Sequence, residues 1–353
     1  MTLTEPQTSE TTTAPLLAAR DVTFAYPHAG SSRTLRRKQG VRAVDEVTIE
    51  VFPGETLAIV GESGCGKTTL SKLLLGLISP TSGSIEYRGK DVRKLSREQQ
   101  HAFRKAVQVV FQDPLGSLNP RKHVRRILGD IVRLWSGRQS ADEINQRVQE
   151  VLRQVELTPP RLFLDRFPHE LSGGQRQRVA IAKPIAVEPQ LIVADEPLSA
   201  LDVSVQGQVL ELLRRLKAEF GVGYVLISHD LQVVRTVADR VVVMYLGRVV
   251  ESGLVEEVFG KSRHPYTRSL LASVLSAEPR PPEERERTLI AGEVPSLESI
   301  PSGCRFHPRC PVAIERCAVE EPGGTALEPD THVVFCHRAL ETDVIEQIQV
   351  AFE

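Results

Sequence analysis

A phosphate-binding loop pattern constrains this chain more than any other feature. The run Gly61-Glu62-Ser63-Gly64-Cys65-Gly66-Lys67-Thr68-Thr69 fits G-x-x-x-x-G-K-[ST]. It stands between the apolar run 56–60 and a second apolar stretch, 70–78, an order that predicts strand, glycine loop and helix. In that order the glycines let backbone N–H groups turn toward a phosphate chain, and the helix N-terminus adds the positive end of its dipole. We therefore expect the chain to bind a nucleoside triphosphate, with Lys67 reaching the β- and γ-phosphates and Thr68 ligating Mg²⁺.

Composition narrows the class of protein. A chain of 353 residues can hold one large domain and a smaller one. Its net charge of −1 argues against a general electrostatic footprint for nucleic acid or for a membrane surface. The first residues lack an apolar segment, so residues 1–15 are predicted to be a disordered tail and not a signal peptide. No run approaches 18 apolar residues, so we expect a cytoplasmic chain whose membrane link comes from a partner.

The first strands are predicted over residues 16–27 and 41–60, where apolar residues alternate or cluster. The basic stretch 31–40 between them is interpreted as a solvated loop, with a surface contact as the alternative. Tyr26 ends the first strand, where its ring can stack on an adenine or pack in the core.

Polar side chains follow three later apolar runs. Gln112 follows the buried strand 107–111, the pair Asp195-Glu196 ends the strand 191–196, and His229 follows the strand 225–227. Carboxylates at a strand end beside a phosphate loop are typical of Mg²⁺ coordination and water activation.

Two helices are predicted between these strands. One covers 141–157, where apolar residues recur every three or four positions, and it stops before Pro159-Pro160. The other opens at Leu171-Ser172-Gly173-Gly174-Gln175 and runs to about Ala186, so its first N–H groups are free for a second anion contact.

Together these motifs resemble the set found in ABC-type ATPases, and the likeness covers residues 16–260. The predicted fold is α/β: an ABC-type P-loop ATPase domain with a mixed sheet core, an antiparallel β-subdomain and a helical signature subdomain at about 113–180. The small cysteine-bearing C-terminal extension over 261–353 completes it. The resemblance implies that ATP and Mg²⁺ contact a shared set of residues: Tyr26, Gly61, Ser63, Gly64, Cys65, Gly66, Lys67, Thr68, Thr69, Gln112 and Asp195. The Cys65 thiol is expected to be a bystander.

The same resemblance implies the catalytic roles and a head-to-tail dimer. Glu196 polarises the attacking water, His229 contacts the γ-phosphate, and Gln112 senses Mg²⁺ and the water. Two ATP molecules lie between two ATPase domains, and the partner's nucleotide is reached by Ser172, Gly173, Gly174 and Gln175. Asp202, in Ser199-Ala200-Leu201-Asp202, couples the two sites.

The tail is similar to the C-terminal extension of oligopeptide/dipeptide importer ATPases. The segments that carry this likeness are 259–268 and 301–311, together with Phe111 to Pro120 and Ser199 to Gln206. These importers usually carry two ATPase subunits, and the sequence of residues 112–120 is more similar to the F-type subunit than to the D-type. The implied partners are a D-type ATPase, two transmembrane permeases and an extracytoplasmic solute-binding protein, with no nucleic acid. This places the chain on the cytoplasmic face of the inner membrane.

Four cysteines of the tail form a candidate metal-binding set. Cys304, Cys310, Cys317 and Cys336 lack the Cys-x-x-Cys spacing usual for structural zinc. Four thiolates are the usual complement of an iron–sulfur cluster, and the resemblance implies a [4Fe–4S] cluster. A zinc ion or four reduced structural cysteines remain alternatives, and His307 or His337 could substitute as ligands.

Other interpretations remain open at this level. Pro184 interrupts the signature helix, so that helix is expected to kink or end early. Close relatives of the importer family carry nickel, glutathione or other small solutes. An ABC ATPase that acts on DNA or ribosomes is disfavoured by the short segment between Gln112 and Ser172. A regulator that only binds nucleotide is disfavoured by the presence of both Glu196 and His229.

Overall fold

The chain is described by a computed structural model over residues 14–27, 40–135, 137, 139–199, 201–275, 295–327 and 331–341. Most of the predicted tail, residues 1–13, lies outside these ranges, and so does the basic stretch 31–39. Within them, no helix combines the length and the apolar character needed to cross a bilayer.

The described residues form twelve β-strands. In chain order these are β1 (Leu17–Tyr26), β2 (Val41–Val51), β3 (Thr56–Val60), β4 (Ser82–Tyr87), β5 (Lys90–Asp91), β6 (Val107–Val110), β7 (Leu191–Asp195), β8 (Gly223–Ile227), β9 (Arg240–Tyr245), β10 (Arg248–Leu254), β11 (Thr325–Leu327) and β12 (His332–Val334).

The same ranges contain eleven α-helices. These are α1 (Lys67–Leu74), α2 (Arg97–Ala106), α3 (Pro114–Ser117), α4 (Val124–Trp135), α5 (Ala141–Gln154), α6 (Gly173–Ile185), α7 (Val203–Phe220), α8 (Leu231–Val237), α9 (Val255–Lys261), α10 (Pro265–Leu275) and α11 (Glu315–Val319).

The larger sheet has eight strands in the order β11-β12-β10-β9-β3-β8-β7-β6. The five strands from β9 to β6 pair in parallel, and β10, β12 and β11 continue the sheet antiparallel. Every residue of β3, β7 and β8 is buried, as expected for parallel strands covered on both faces. The carboxyl ends of β3, β7 and β8 therefore meet at one edge, where α/β sheets bind ligands.

The smaller sheet is antiparallel, in the order β2-β1-β4-β5. The prediction of one strand region over 41–60 is wrong at 52–55, because a turn there sends β2 and β3 into different sheets. Pro53 has no N–H for a ladder, and Gly54 adopts a φ of +72°, so the two residues end the strand.

Helices α3 to α5 lie within the predicted helical subdomain of about 113–180, and α6 extends past its end to Ile185. Helices α4, α5 and α6 share one apolar core with α7. Helix α5 starts with a capping box between Ser140 and Glu143 and ends at Gln154, three residues before the predicted end. Val148, Val151 and Leu152, on the predicted apolar face, are fully buried.

Pro184 does not end α6 early. The helix continues to Ile185, close to the predicted end, and the Ala186 N–H still donates to the Ala182 carbonyl at 3.0 Å. Proline removes only its own N–H, and at the penultimate helical position little of the helix remains to be disrupted.

The tail packs on the ATPase body through the larger sheet. Strand β12 pairs with β10, and buried Arg305 donates to the carboxylate of Asp45 in β2. Phe306, Tyr245 and Tyr266 form an aromatic cluster within a shared core. The tail is thus continuous with the sheet that carries the phosphate loop.

Candidate functional site

The phosphate loop, residues 61–66, connects the end of β3 to the start of α1. Gly66 has a φ of +108°, and a Cβ there would lie 2.0 Å from the Ala43 carbonyl oxygen. Gly61 is equally confined, because its Cβ would lie 2.2 Å from the Met244 carbonyl oxygen. Only glycine fits these two positions, so the close wrapping of the loop depends on them.

Lys67 is buried and folds back over the loop. Its ammonium donates to the carbonyl oxygens of Gly61 at 2.7 Å and Glu62 at 2.8 Å. Neutral carbonyls do not cancel its charge, which stays available to an anion in the loop. Cys65 Sγ lies 3.8 Å from the same nitrogen, and burial raises the pKa of this thiol, so the thiol stays neutral beside Lys67.

Thr68 and Asp195 bring two oxygen ligands together. The Thr68 hydroxyl, in α1, donates to Asp195 Oδ1, at the end of β7, at 3.4 Å. Burial raises the pKa of the Asp195 carboxyl, the Thr68 hydrogen bond opposes the rise, and the charge of Glu196 adds to it. A hydroxyl and a carboxylate are ligands that Mg²⁺ accepts, so the donor set fits that ion.

Gln112, Glu196 and His229 meet at the ends of three neighbouring strands. Gln112 Nε2 donates to Glu196 Oε2 at 2.8 Å, and His229 Nδ1 lies 3.4 Å from Glu196 Oε1. A cavity of about 80 Å³, large enough for water, is lined by Glu196, Ser228 and His229 among others. The structure thus gathers the predicted catalytic set around one carboxylate that water can reach.

Tyr26 lies next to the N-terminal turn of α1. Its hydroxyl shares a hydrogen bond with Thr69 Oγ1 at 3.2 Å, and its ring meets Phe24 edge-on at 4.9 Å. With 41% of its surface exposed, Tyr26 is not a core residue. An exposed ring beside the phosphate loop is free to stack on a base.

The signature motif caps α6. The Ser172 hydroxyl accepts the Gln175 N–H at 3.3 Å, and the Gln175 side-chain oxygen accepts the Ser172 N–H at 3.1 Å. Asp202 likewise caps α7 by accepting the Val205 N–H at 3.0 Å. The signature segment, residues 172–175, makes no hydrogen bond to the phosphate loop of the same chain within the described ranges.

The four tail cysteines share one neighbourhood without forming a compact metal site. Burial raises the pKa of Cys304, of Cys310 to about 12 and of Cys336 to about 11. Neighbouring thiols, with Cys317 among them, add to each of these rises. In the part of the chain that the structure describes, no group of three or more His, Cys, Asp or Glu residues could hold a metal ion. The predicted metal ligands therefore lie near one another but not in a ready-made site.

Sequence reasoning missed two features of this region. Glu196 has a φ of +45°, a left-handed conformation that is costly for a residue with a side chain. Glu62 of the phosphate loop contacts Tyr266 and Arg309 of the tail. Arg309 stands in a tail segment that the motif comparison singled out, but no local pattern connects it with Glu62.

Two protein-family models match the chain. The model described as ABC transporter matches residues 44–199, and the model described as oligopeptide/dipeptide transporter, C-terminal region, matches residues 250–317. The first range contains the phosphate loop, Asp195 and Glu196, and the second contains three of the four tail cysteines.

Several named proteins are similar over most of their length. Oligopeptide transport ATP-binding protein AppF of Bacillus subtilis is 46% identical, over 91% of this chain and 97% of its own. Di/tripeptide transport ATP-binding protein DppF of Pseudomonas aeruginosa is 45% identical, over 92% and 98%. Oligopeptide transport ATP-binding protein OppF of Escherichia coli is 44% identical, over 80% and 84%.

Two solved structures resemble a large part of the chain. The cbiO1 subunit of the Clostridium perfringens ABC transporter complex cbiONQ aligns with a TM-score of 0.60 at 29% identity, over 70% of this chain and 92% of its own. The ATP-binding cassette MJ0796, solved as a dimer in a post-hydrolysis state with ADP and Pi, aligns with a TM-score of 0.58 at 29% identity, over 68% and 98%.

Proposed function

This chain belongs to the family of oligopeptide transport ATP-binding proteins and is an ABC-type ATPase, and from that premise we propose that it powers an importer of oligopeptides or dipeptides. One observation carries the chemistry. Lys67, the Thr68–Asp195 pair and the Glu196 group stand at one edge of one sheet.

The nucleotide contacts follow from this arrangement. The Lys67 ammonium, held over the loop by two carbonyl oxygens, reaches the β- and γ-phosphates, and Tyr26 stacks on the adenine. The backbone N–H groups of the loop, from Gly61 and Ser63 to Thr69, surround the phosphate chain. Thr68 and Asp195, together with Gln112 of the neighbouring strand end, would hold Mg²⁺, which would neutralise charge on the phosphates when bound.

Hydrolysis depends on the Glu196 group. Glu196 accepts a proton from the attacking water while Gln112 holds one of its oxygens and His229 stands beside the other. The left-handed backbone of Glu196 is costly for a residue with a side chain, and strain of this kind is common at functional sites, which supports a catalytic role.

The signature motif serves a second copy of the site across a dimer interface. Ser172 and Gln175 cap the N-terminus of α6 through their own N–H groups and side chains, and the N–H groups of Gly173 and Gly174 between them suit the γ-phosphate held by a partner ATPase. Asp202, at the start of α7, then connects the two sites. The dimeric assembly of MJ0796 is a precedent for such a pair.

The assembly we propose contains this chain as the F-type ATPase, a D-type ATPase, two permeases and an extracytoplasmic solute-binding protein, at the cytoplasmic face of the membrane. The F-type assignment is supported by relatives named AppF, OppF and DppF. The permeases are proposed to dock near residues 113–120 and 162–170, where Leu162 is exposed.

The tail cysteines are proposed to hold a [4Fe–4S] cluster through Cys304, Cys310, Cys317 and Cys336. The proposal rests on the number of thiols and on their mutual proximity, because four thiolates are the usual complement of such a cluster. Anaerobic purification followed by iron and sulfide analysis tests this. Four of each per chain supports the cluster, whereas one zinc or no metal contradicts it.

Peptide uptake tests the transport function. A strain that lacks this chain should lose uptake of labelled di- and oligopeptides, and the wild-type chain should restore it whereas Glu196→Gln should not.

Purification of the tagged chain from gently solubilised membranes should yield permeases and a second ATPase. Nickel or glutathione uptake lost in place of peptide uptake would reassign the solute, and ribosomal or DNA-bound partners without permeases would overturn the transport role.

A further inference from the structure

An ion pair connects the tail to the phosphate loop. The guanidinium of Arg309 donates to both carboxylate oxygens of Glu62, from Nη1 at 3.0 Å and from Nη2 at 3.2 Å. The Arg309 side chain is 7% exposed and that of Glu62 is 24% exposed. A two-pronged, largely buried pair of this kind fixes the direction of a carboxylate more firmly than a surface salt bridge does.

A tyrosine of the tail holds the backbone of the same residue. The Glu62 N–H donates to the hydroxyl of Tyr266 at 2.8 Å, and Tyr266 is fully buried. Arg309 in turn lies against Tyr245, with its guanidinium carbon 5.8 Å from the ring centre and a hydrogen bond of 3.3 Å to the hydroxyl. Both the main chain and the side chain of Glu62 are therefore held from outside the loop.

Glu62 also contacts the lysine of the loop. Its carbonyl oxygen accepts a hydrogen bond from Lys67 Nζ at 2.8 Å. A shift of Glu62 would move a partner of the ammonium that meets the phosphates. The path from the tail to the nucleotide site is only two contacts long.

Charge gives the pair a second effect. Glu62 places a carboxylate in a loop that accepts a polyanion, and an unpaired carboxylate there would repel the phosphates. Arg309 offsets that charge at a distance of about 3 Å. Loss of Arg309 would therefore both free the loop and leave an opposing charge, and a second change at Glu62 can separate the two effects.

We propose that Arg309 and Tyr266 are positioning residues of the nucleotide site, which makes the cysteine-bearing tail a component of the ATP-binding machinery. The proposal rests on the proposed ATP-binding function. It assigns the tail a task at the phosphate loop in addition to any cofactor that it holds.

The test measures Mg²⁺–ATP affinity by calorimetry in a Glu196→Gln background, where hydrolysis is slow. We expect Arg309→Ala to weaken binding about tenfold, equivalent to about 1.4 kcal/mol. Adding Glu62→Gln removes the opposing charge but leaves the loop unheld, so affinity should recover only in part and stay about threefold or more below the background. Arg316→Ala is the matched control, since this exposed arginine of α11 pairs with nearby Glu320 on the surface.

The outcomes separate this inference from the function on which it rests. A background protein that does not bind Mg²⁺–ATP overturns the proposed function. Background binding with unchanged affinity in Arg309→Ala overturns the positioning role. Full recovery of affinity on adding Glu62→Gln overturns it as well, because the loss would then come from charge alone. If Arg309→Ala fails to fold, Tyr266→Phe decides, because it removes only the hydroxyl: affinity about threefold weaker supports the proposal, and background affinity contradicts it.

Discussion

Glu196 is the residue on which the proposed hydrolysis depends most. It follows the last residue of β7, holds a left-handed backbone, and has Gln112 on one carboxylate oxygen and His229 on the other. Gln112 and His229 come from the ends of β6 and β8, so the carboxylate is held by the sheet edge as a whole. In the catalytic role that we propose for it, a carboxylate oriented in this way would act on a water molecule without reorganising first.

Replacing Glu196 with Gln should separate binding from hydrolysis. The amide keeps the shape and a hydrogen bond to its neighbours but cannot accept a proton from water. We expect Mg²⁺–ATP affinity within about threefold of wild type and turnover lowered by roughly 10²–10⁴. Steady-state phosphate release and equilibrium binding measure the two quantities. Glu219→Gln, on the exposed side of α7, is the control, and wild-type turnover in Glu196→Gln would refute the role.

We expect the charge of Asp195, a proposed Mg²⁺ ligand, to lower the stability of the folded chain. Because burial raises its pKa above the ordinary 3.8, the folded chain binds more protons than the unfolded chain between 3.8 and that raised pKa, and stability falls as pH rises through this window. Asp195→Asn removes the charge, so we expect a Tm a few degrees higher than wild type at pH 7.5 without nucleotide, with the gain shrinking toward pH 4. The same variant should lose Mg²⁺-dependent ATP binding. Thermal unfolding across pH measures the effect, and a lower Tm at pH 7.5 would contradict it.

Strands and helices could be predicted from the sequence where an apolar run leads directly into a residue with a role in the candidate site. β3, α1, β7 and β8 are such cases, because a buried apolar run leads into a residue with an obvious task. Prediction failed at 52–55, where the apolar residues continue past a Pro-Gly turn that moves the chain between sheets. It also overstated the effect of Pro184, since the cost of a proline depends on how many helical residues follow it.

Position within α6 should decide the cost of a proline. Pro184→Ala restores one N–H donor but gives up a rigid ring, so we expect the free energy of unfolding to change by less than about 1 kcal/mol. Ala180→Pro, four residues earlier in the same helix, should cost about 3 kcal/mol or more. Urea unfolding of both variants measures the contrast. Equal costs would show that the end of α6 is more tightly constrained than its hydrogen bonds indicate.

For the whole molecule, the contacts between tail and body lay beyond prediction. Arg309 and Glu62 are 247 residues apart in the chain, and nothing in either neighbourhood marks the other as a partner. Such contacts arise from the pairing of β12 with β10 and from the shared aromatic core, and both are products of tertiary packing. The resemblance indicated that a tail was present, whereas the structure showed which part of the catalytic body it holds.

The same packing makes the tail interface sensitive to acid. His264 is buried, its Nδ1 accepts the Tyr266 N–H at 3.1 Å, and burial lowers its pKa from 6.5 to about 3. Between those values the unfolded chain binds the extra proton, so stability should fall as pH drops below 6.5, by at most about 1.4 kcal/mol per pH unit. In His264→Asn the amide oxygen can accept the same N–H without titrating, so we expect lower overall stability but a flatter pH dependence. Urea unfolding at pH 7.0, 6.0 and 5.0, with His169→Asn as an exposed control, measures the slopes. A wild-type slope in His264→Asn would assign the acid sensitivity to other groups.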